Sequence, residues 1–326
     1  MINGHGDDIF NYEHICMNFS SNIVQHADHT ALKNHMAEHF DIVANYPEPE
    51  PWSLEAMIAE HHGVDPRAVI VTNGATEAIY LVAQTFRMNH LLMPPTFSEY
   101  ADAIDMFGRN ARAGYALWVC NPNNPTGEVV SAQRLLEVAK NYKLLVVDQS
   151  YEYYADTPPL TPRQAVEARN IVQLHSFTKT YAVPGLRLGY IVATPRLTQR
   201  LRRFLRPWSV SALAVEAGKF LIAHDELRCL PNLDETQRLR RRLQQIDGIG
   251  TLPTHTNFML ATIEGATAAQ LKDYLAREHH ILIRDASNFK GLSPQYFRVA
   301  AQSPAENDAL VEAIATFCKK NRSAAE

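Results

Sequence analysis

Apolar residues recur along the chain with two different textures, and the change between them predicts how it is organised. Between Ala68 and Ala193, short unbroken apolar runs alternate with helical stretches. The β-branched run Ala68–Thr72 predicts a strand, Asn73-Gly74 a turn, and Ala75–Arg87 an apolar helix. Further strands are expected at His90–Met93, Ala116–Cys120, Leu144–Val147, Ile171–Leu174 and Leu188–Ala193, with a helix at Ser131–Tyr142. Runs that are apolar at every position belong to strands covered on both faces. Separated by helices, they predict an α/β architecture with a mainly parallel central sheet flanked by helices.

Past Pro207 the pattern lengthens. Helices are expected at Ser211–Ala223, Asp234–Ile246, Thr267–Glu278 and Pro304–Asn321, with short strands near Asn257–Ala261, Ile281–Arg284 and Tyr296–Ala300. This reads as a smaller α+β domain. Ahead of the alternation, residues 1–45 are polar and rich in His and Asn, with a short helix near Thr30–Phe40. In Tyr46-Pro47-Glu48-Pro49-Glu50-Pro51 alternate prolines forbid a helix, so an extended connector leads into a helix Ser53–His62. The expected division is an N-terminal arm (1–45) packing on the small domain, a large domain (46–206) and a small C-terminal domain (207–326).

The 326 residues, 46% of them apolar, suffice for two cores. A net charge of -4 argues against a nucleic-acid partner, which would call for a basic stripe. The run Arg238, Arg240, Arg241 and Arg242 reads as a solvated helix face. The four cysteines are scattered, so neither a disulfide framework nor a zinc knuckle is expected. His61-His62 and His279-His280 are adjacent pairs whose side chains diverge on a helix, and no metal site is expected from them. With no secretory leader at the N-terminus and no membrane-length apolar run, a cytoplasmic protein is expected.

Candidate chemistry collects where strands end, which is where ligands bind in an open parallel sheet. Asp148 follows the apolar run Leu144–Val147; taken alone it reads as a helix N-cap. Lys179 lies among small, apolar and hydroxyl residues in Ser176-Phe177-Thr178-Lys179-Thr180, with Arg187 close behind. A desolvated lysine near another cation has a lowered pKa and becomes a usable amine nucleophile; the alternative is an exposed loop lysine. Asn73-Gly74-Ala75-Thr76 offers a turn and a helix start that suit an anion, or a plain tight turn. Asn121-Pro122-Asn123-Asn124-Pro125-Thr126-Gly127 makes a stiff polar loop.

Occurring together and in this order, Asn-Pro-Thr-Gly at 124–127, the Asp148…Tyr151 pair, Ser176-x-x-Lys179 and Arg187 resemble the fold-type I pyridoxal 5′-phosphate (PLP) aminotransferases over most of the chain. The resemblance implies that Lys179 holds the PLP cofactor as a Schiff base and later moves the proton. It implies that Asp148 pairs with the ring nitrogen and keeps it charged, that Asn124 and Tyr151 bond the ring hydroxyl oxygen, and that Phe97 stacks on the ring. Ala75, Thr76, Ser176 and Arg187 hold the phosphate, and Tyr46 reaches the phosphate in the neighbouring subunit of a homodimer. Arg298 binds the substrate carboxylate as a fork.

Within that family the segments Pro95–Tyr100, Cys120–Gly127, Pro207–Val210, Asn257-Phe258 and Ile283–Phe289 are most similar to threonine-phosphate decarboxylases of cobalamin synthesis, sisters of histidinol-phosphate aminotransferases. This adds His5, Gly6, Asn22 and Arg284 as substrate-binding residues. The expected reaction is decarboxylation of O-phospho-L-threonine. The alternative is transamination of histidinol phosphate, or of another amino acid, with 2-oxoglutarate. After Asn22-Ile23 the chain departs from the subfamily pattern and reads Val24-Gln25-His26-Ala27.

Overall fold

The computed structural model describes residues 7–108 and 114–323. Its central feature is a six-stranded sheet in the order Val69–Thr72, Gly189–Ala193, Ile171–Ser176, Leu144–Asp148, Tyr115–Cys120, Asn89–Leu91. Gly189–Ala193 runs antiparallel to both its neighbours, and the other five strands point the same way. The expected mainly parallel sheet is thus present, with one strand reversed.

Leu144–Asp148 is buried at all five positions because both faces of the sheet are covered. Val146, Trp118 and Leu174 pack under one layer with Ile79, Val82, Ala103 and Leu201. Leu145, Val147 and Leu117 face the other way, onto Leu135 and Ala165. Farther along that face, Val69, Val71 and Val192 meet Leu54, Ile58 and Ala217, so the helices Trp52–His62 and Ala212–Ala223 cover this end.

A four-stranded antiparallel sheet follows, in the order Arg284–Asp285, Tyr296–Ala300, Phe258–Ile263, Ile249–Thr251. Helices Leu233–Leu243, Ala268–His279 and Pro304–Ser323 pack their apolar stripes against it through Leu239, Leu271, Leu275 and Ile314. The N-terminal segment joins the two sheets. Met17–Asn18 pairs with Ile281–Leu282, and Phe19 is buried in the core of the small sheet. Thirteen residues later Leu32, on the helix Thr30–Glu38, is buried on the large sheet's side. Residues between these two anchors must cross the gap.

Helices Glu99–Phe107, Pro162–Ala168 and Pro195–Arg202 were not expected from the sequence. The last two begin at Thr161-Pro162 and Thr194-Pro195, a capping hydroxyl followed by a proline in the first turn. Glu99–Phe107 carries Tyr100, Ala103, Ile104 and Phe107 at helical spacing, on too short a stretch to stand out.

Gly189 packs the reversed strand against the start of the helix Gly74–Thr85. A Cβ there would lie 2.7 Å from the Ala75 nitrogen and 2.8 Å from the His175 oxygen, both backbone atoms that cannot swing away. Gly189→Ala is therefore expected to destabilise the fold by about 1–3 kcal/mol, as overpacking does. The urea-unfolding midpoint reads this, and an unchanged midpoint would contradict the close contact.

Candidate active site

Three neighbouring parallel strands end in Cys120, Asp148 and Ser176, and all three residues line one cavity of about 260 Å³. The carboxylate of Asp148 is almost wholly shielded, with 4% of its residue area exposed, and its oxygens are held by identified donors. The Tyr100 hydroxyl donates to Oδ2 at 2.7 Å. The Ser150 amide and hydroxyl donate to Oδ1 at 2.9 and 2.6 Å. Burial and the neighbouring carboxylate push the Tyr100 hydroxyl far above its ordinary pKa, so it stays a proton donor to Asp148.

Lys179 enters from the short helix Phe177–Thr180 that follows the strand Ile171–Ser176. Its Nζ donates to the Ser21 carbonyl at 2.7 Å. Desolvation lowers its pKa to about 7; the Arg298 and Arg187 charges add to that, and Asp7 opposes it. The amine is thus poised between its neutral and charged forms near neutral pH.

Arg298 and Arg284 are direct partners on adjacent antiparallel strands, and both are buried in the cavity wall. Arg298 donates through Nη1 to Asn124 Oδ1 and through Nη2 to the Ser20 carbonyl at 2.5 Å. Burial lowers its pKa to about 10, still high enough to keep it charged. Arg284 donates to Asn288 Oδ1 at 2.8 Å, with Phe289 beneath it. Ala75 and Thr76 open the helix Gly74–Thr85 onto the same cavity, which Arg187 also lines. Gly74 has φ +76° and an absent side chain; a Cβ there would sit 2.6 Å from Arg187 Nη2. Glycine is what lets the guanidinium lie against the helix start.

Phe97 is placed by the polar loop. Asn123 accepts from Thr96 Oγ1 at 2.9 Å and donates to the Pro95 carbonyl at 3.0 Å, tying Asn121–Gly127 to the segment before the helix Glu99–Phe107. A second tie runs behind the site. His175, next to Ser176, meets Glu152 Oε1 at 2.9 Å and stacks on Tyr190 at 4.5 Å. Burial drops His62 to a pKa of about 3, and this neutral ring shares a hydrogen bond with the Tyr190 hydroxyl at 2.8 Å. Through Glu152 the turn carrying Tyr151 is fastened to the strand that carries Ser176.

Of the residues expected from sequence, Ala75, Thr76, Phe97, Asn124, Asp148, Tyr151, Ser176, Lys179, Arg187, Arg284 and Arg298 share this cavity. Asn22 is buried beside it, its amide 3.4 Å from the Tyr151 hydroxyl. Tyr46 stands apart, 87% exposed, with its ring 5.5 Å from Trp208. His5 and Gly6 lie outside the described residues; Asp7, directly after them, lines the cavity. Sequence reasoning missed Tyr100, Ser150, Ser20 and Ser21. Only Ser150, two residues from Asp148, had a local signal, the Asp-x-Ser turn.

Comparison with known proteins agrees with this layout. The family model for aminotransferase class I and II matches residues 14–113 and 109–314. A threonine-phosphate decarboxylase of Salmonella typhimurium is 29% identical over 91% of this chain and 90% of its own. A histidinol-phosphate aminotransferase of Caldanaerobacter subterraneus is 27% identical over 82% of this chain and 83% of its own. The crystal structure of L-threonine-O-3-phosphate decarboxylase from Porphyromonas gingivalis superposes with a TM-score of 0.90 at 35% identity, covering 93% of this chain and 99% of that one. With the family model spanning most of its length, the chain belongs to the class I and II aminotransferases and is a PLP-dependent enzyme.

Proposed function

We propose that the enzyme removes the α-carboxylate of O-phospho-L-threonine as CO₂. The observation that carries this reading is the in-register pair Arg284 and Arg298 on one wall of the cavity. Two buried guanidinium groups suit a substrate with two anionic groups, a carboxylate and a phosphate. The similarity to threonine-phosphate decarboxylases supports the same reading.

The residues present fit the cofactor. Asp148, held by Tyr100 and Ser150, is suited to keep a ring nitrogen protonated. The backbone at Ala75 and Thr76, with Ser176 and Arg187, suits the phosphate, at a helix start that attracts anions. Asn124 and Tyr151 are suited to the ring hydroxyl oxygen and Phe97 to the ring face. Asn22 Oδ1 and Arg298 Nε are buried without partners among the described residues, which a polar ligand would relieve. When bound, PLP supplies an electron sink for the pair released at the substrate α-carbon.

The chain's own groups do the rest. Lys179 is the amine that binds the cofactor aldehyde, and its Nζ afterwards delivers the proton that replaces the lost carboxylate. A pKa near 7 lets one group do both. Arg298 and Arg284, by fixing the substrate's anionic groups, would set which bond at the α-carbon breaks. The substrate carboxylate can take the unpartnered Nε–H of Arg298 while Asn124 and the Ser20 carbonyl hold the guanidinium in place. With this reading go a role in cobalamin-type synthesis, a cytoplasmic location and a homodimer. Tyr46, Trp52 and Trp208 are exposed aromatics suited to a second copy; among the described residues no helix is long and apolar enough to cross a membrane.

Three outcomes are expected. Loading with PLP and reducing with borohydride should attach the cofactor to the peptide that carries Lys179, as mass spectrometry would read; attachment elsewhere would remove Lys179 from its role. In the cofactor-free protein, the folded amine (pKa about 7) loses its proton well before the unfolded one (ordinary value 10.5), so unfolding takes up a proton between those values. Stability should therefore rise with pH across that window, and Lys179→Met should flatten the rise; equal slopes in urea titrations would contradict the depressed pKa. Finally, O-phospho-L-threonine should release CO₂ and aminopropanol phosphate. Glutamate formation from 2-oxoglutarate and histidinol phosphate without any CO₂ release would favour the transaminase instead.

A further inference from the structure

Away from the cavity, the histidine-rich N-terminal segment places His35, His39 and Glu216 so that one donor atom from each lies within 4.8 Å of the others. We propose that these three residues form a site for a divalent transition-metal cation of the zinc type. His35 lies in the helix Thr30–Glu38 and His39 caps its end, so their spacing of four puts both rings on one face. Glu216 comes from the helix Ala212–Ala223, on which the first helix packs. The adjacent pairs His61-His62 and His279-His280 lack this spacing.

Two features prepare the imidazoles. His39 Nδ1 is 2.8 Å from the His35 backbone carbonyl. A carbonyl only accepts, so Nδ1 carries the proton and the lone pair of His39 is on Nε2. The His35 ring is held between His39, with centroids 4.1 Å apart, and Phe220, at 4.4 Å. Its Nε2 faces Glu216 Oε1 at 2.9 Å, where a cation can replace the shared proton. Ligands about 2.0 Å from a tetrahedral ion stand roughly 3.3 Å apart; because the His35 and His39 rings are stacked only 25° from parallel, His39 has to swing out of the stack to aim its Nε2 at an ion held by His35 and Glu216. Two imidazoles and one carboxylate are a donor set for zinc and its neighbours, whereas magnesium and calcium take oxygen sets. Because His39 is exposed, a water can complete the coordination.

The site would staple one helix to the other. The stapled helix follows the segment Ser20–Ile23, three residues of which line the catalytic cavity, so the cation would anchor the arm that closes the cavity.

Isothermal titration of the PLP-loaded protein with zinc chloride tests this. Wild type is expected to bind about one ion per chain. His39→Ala and Glu216→Gln should each weaken binding roughly tenfold or more. His280→Asn, at the exposed left-handed C-cap of the helix Ala268–His279, should leave it unchanged. Zinc should raise the melting temperature of wild type but not of His39→Ala, an exposed substitution whose metal-free melting temperature checks its folding. No uptake by wild type, equal uptake by all variants, or full competition by magnesium would overturn the proposal.

Discussion

The site depends on keeping an amine and a carboxylate in one cavity, both withdrawn from water and separately restrained. Left alone, Lys179 and Asp148 would neutralise each other or seek solvent, because an unpaired ion in a poorly hydrated cavity is costly. The fold prevents this with other partners. Asp148 is held by three hydrogen bonds from Tyr100 and Ser150 that leave an acceptor site on Oδ2, and Lys179 is turned to the Ser21 carbonyl with cations nearby. In the proposed reading the carboxylate would meet a ring nitrogen and the amine an aldehyde. Neither partner of Lys179 and Asp148 is a strong ion pair, so a cofactor can be inserted between them.

Both sheets are needed for that arrangement. The parallel strands supply the floor, since Cys120, Asp148 and Ser176 end side by side. The antiparallel sheet supplies the arginine wall, because register places Arg284 opposite Arg298. The arm bridges them: Phe19 is fixed in the small core, Leu32 on the large sheet's side, and Ser20 and Ser21 between them turn their carbonyls to Arg298 and Lys179. Through the Ser20 carbonyl the arm holds the Arg298 guanidinium, whose Nε–H remains open toward a ligand, so the arm positions the group that would meet the substrate.

Much of this was legible in the sequence for a physical reason. A parallel strand covered on both faces is mostly apolar, so Leu144–Val147 announces itself and the polar Asp148 directly after it marks the ligand edge; Ile171–Leu174 is less plain, because the buried Gln173 interrupts it. The loops Asn121–Gly127 and Ser176–Arg187 could be read because their chemistry is local. What was not legible depends on contacts between distant segments. Tyr100 is 48 residues from Asp148, and Ser21 is 158 from Lys179. Tyr100 appears only as one apolar position of a short helix, and Ser21 acts through its backbone, which has no residue signature. The reversed strand Gly189–Ala193 was likewise indistinguishable from its parallel neighbours, since both kinds are buried on two faces.

The central claim is that Asp148 holds a positive charge on the cofactor ring opposite Lys179. Nitrogen-15 NMR of the enzyme loaded with ring-labelled PLP tests it most directly. The account predicts the shift of a protonated pyridine nitrogen in the wild-type protein and its loss in Asp148→Ala. An unprotonated nitrogen in wild type, or the same shift in both proteins, would contradict it.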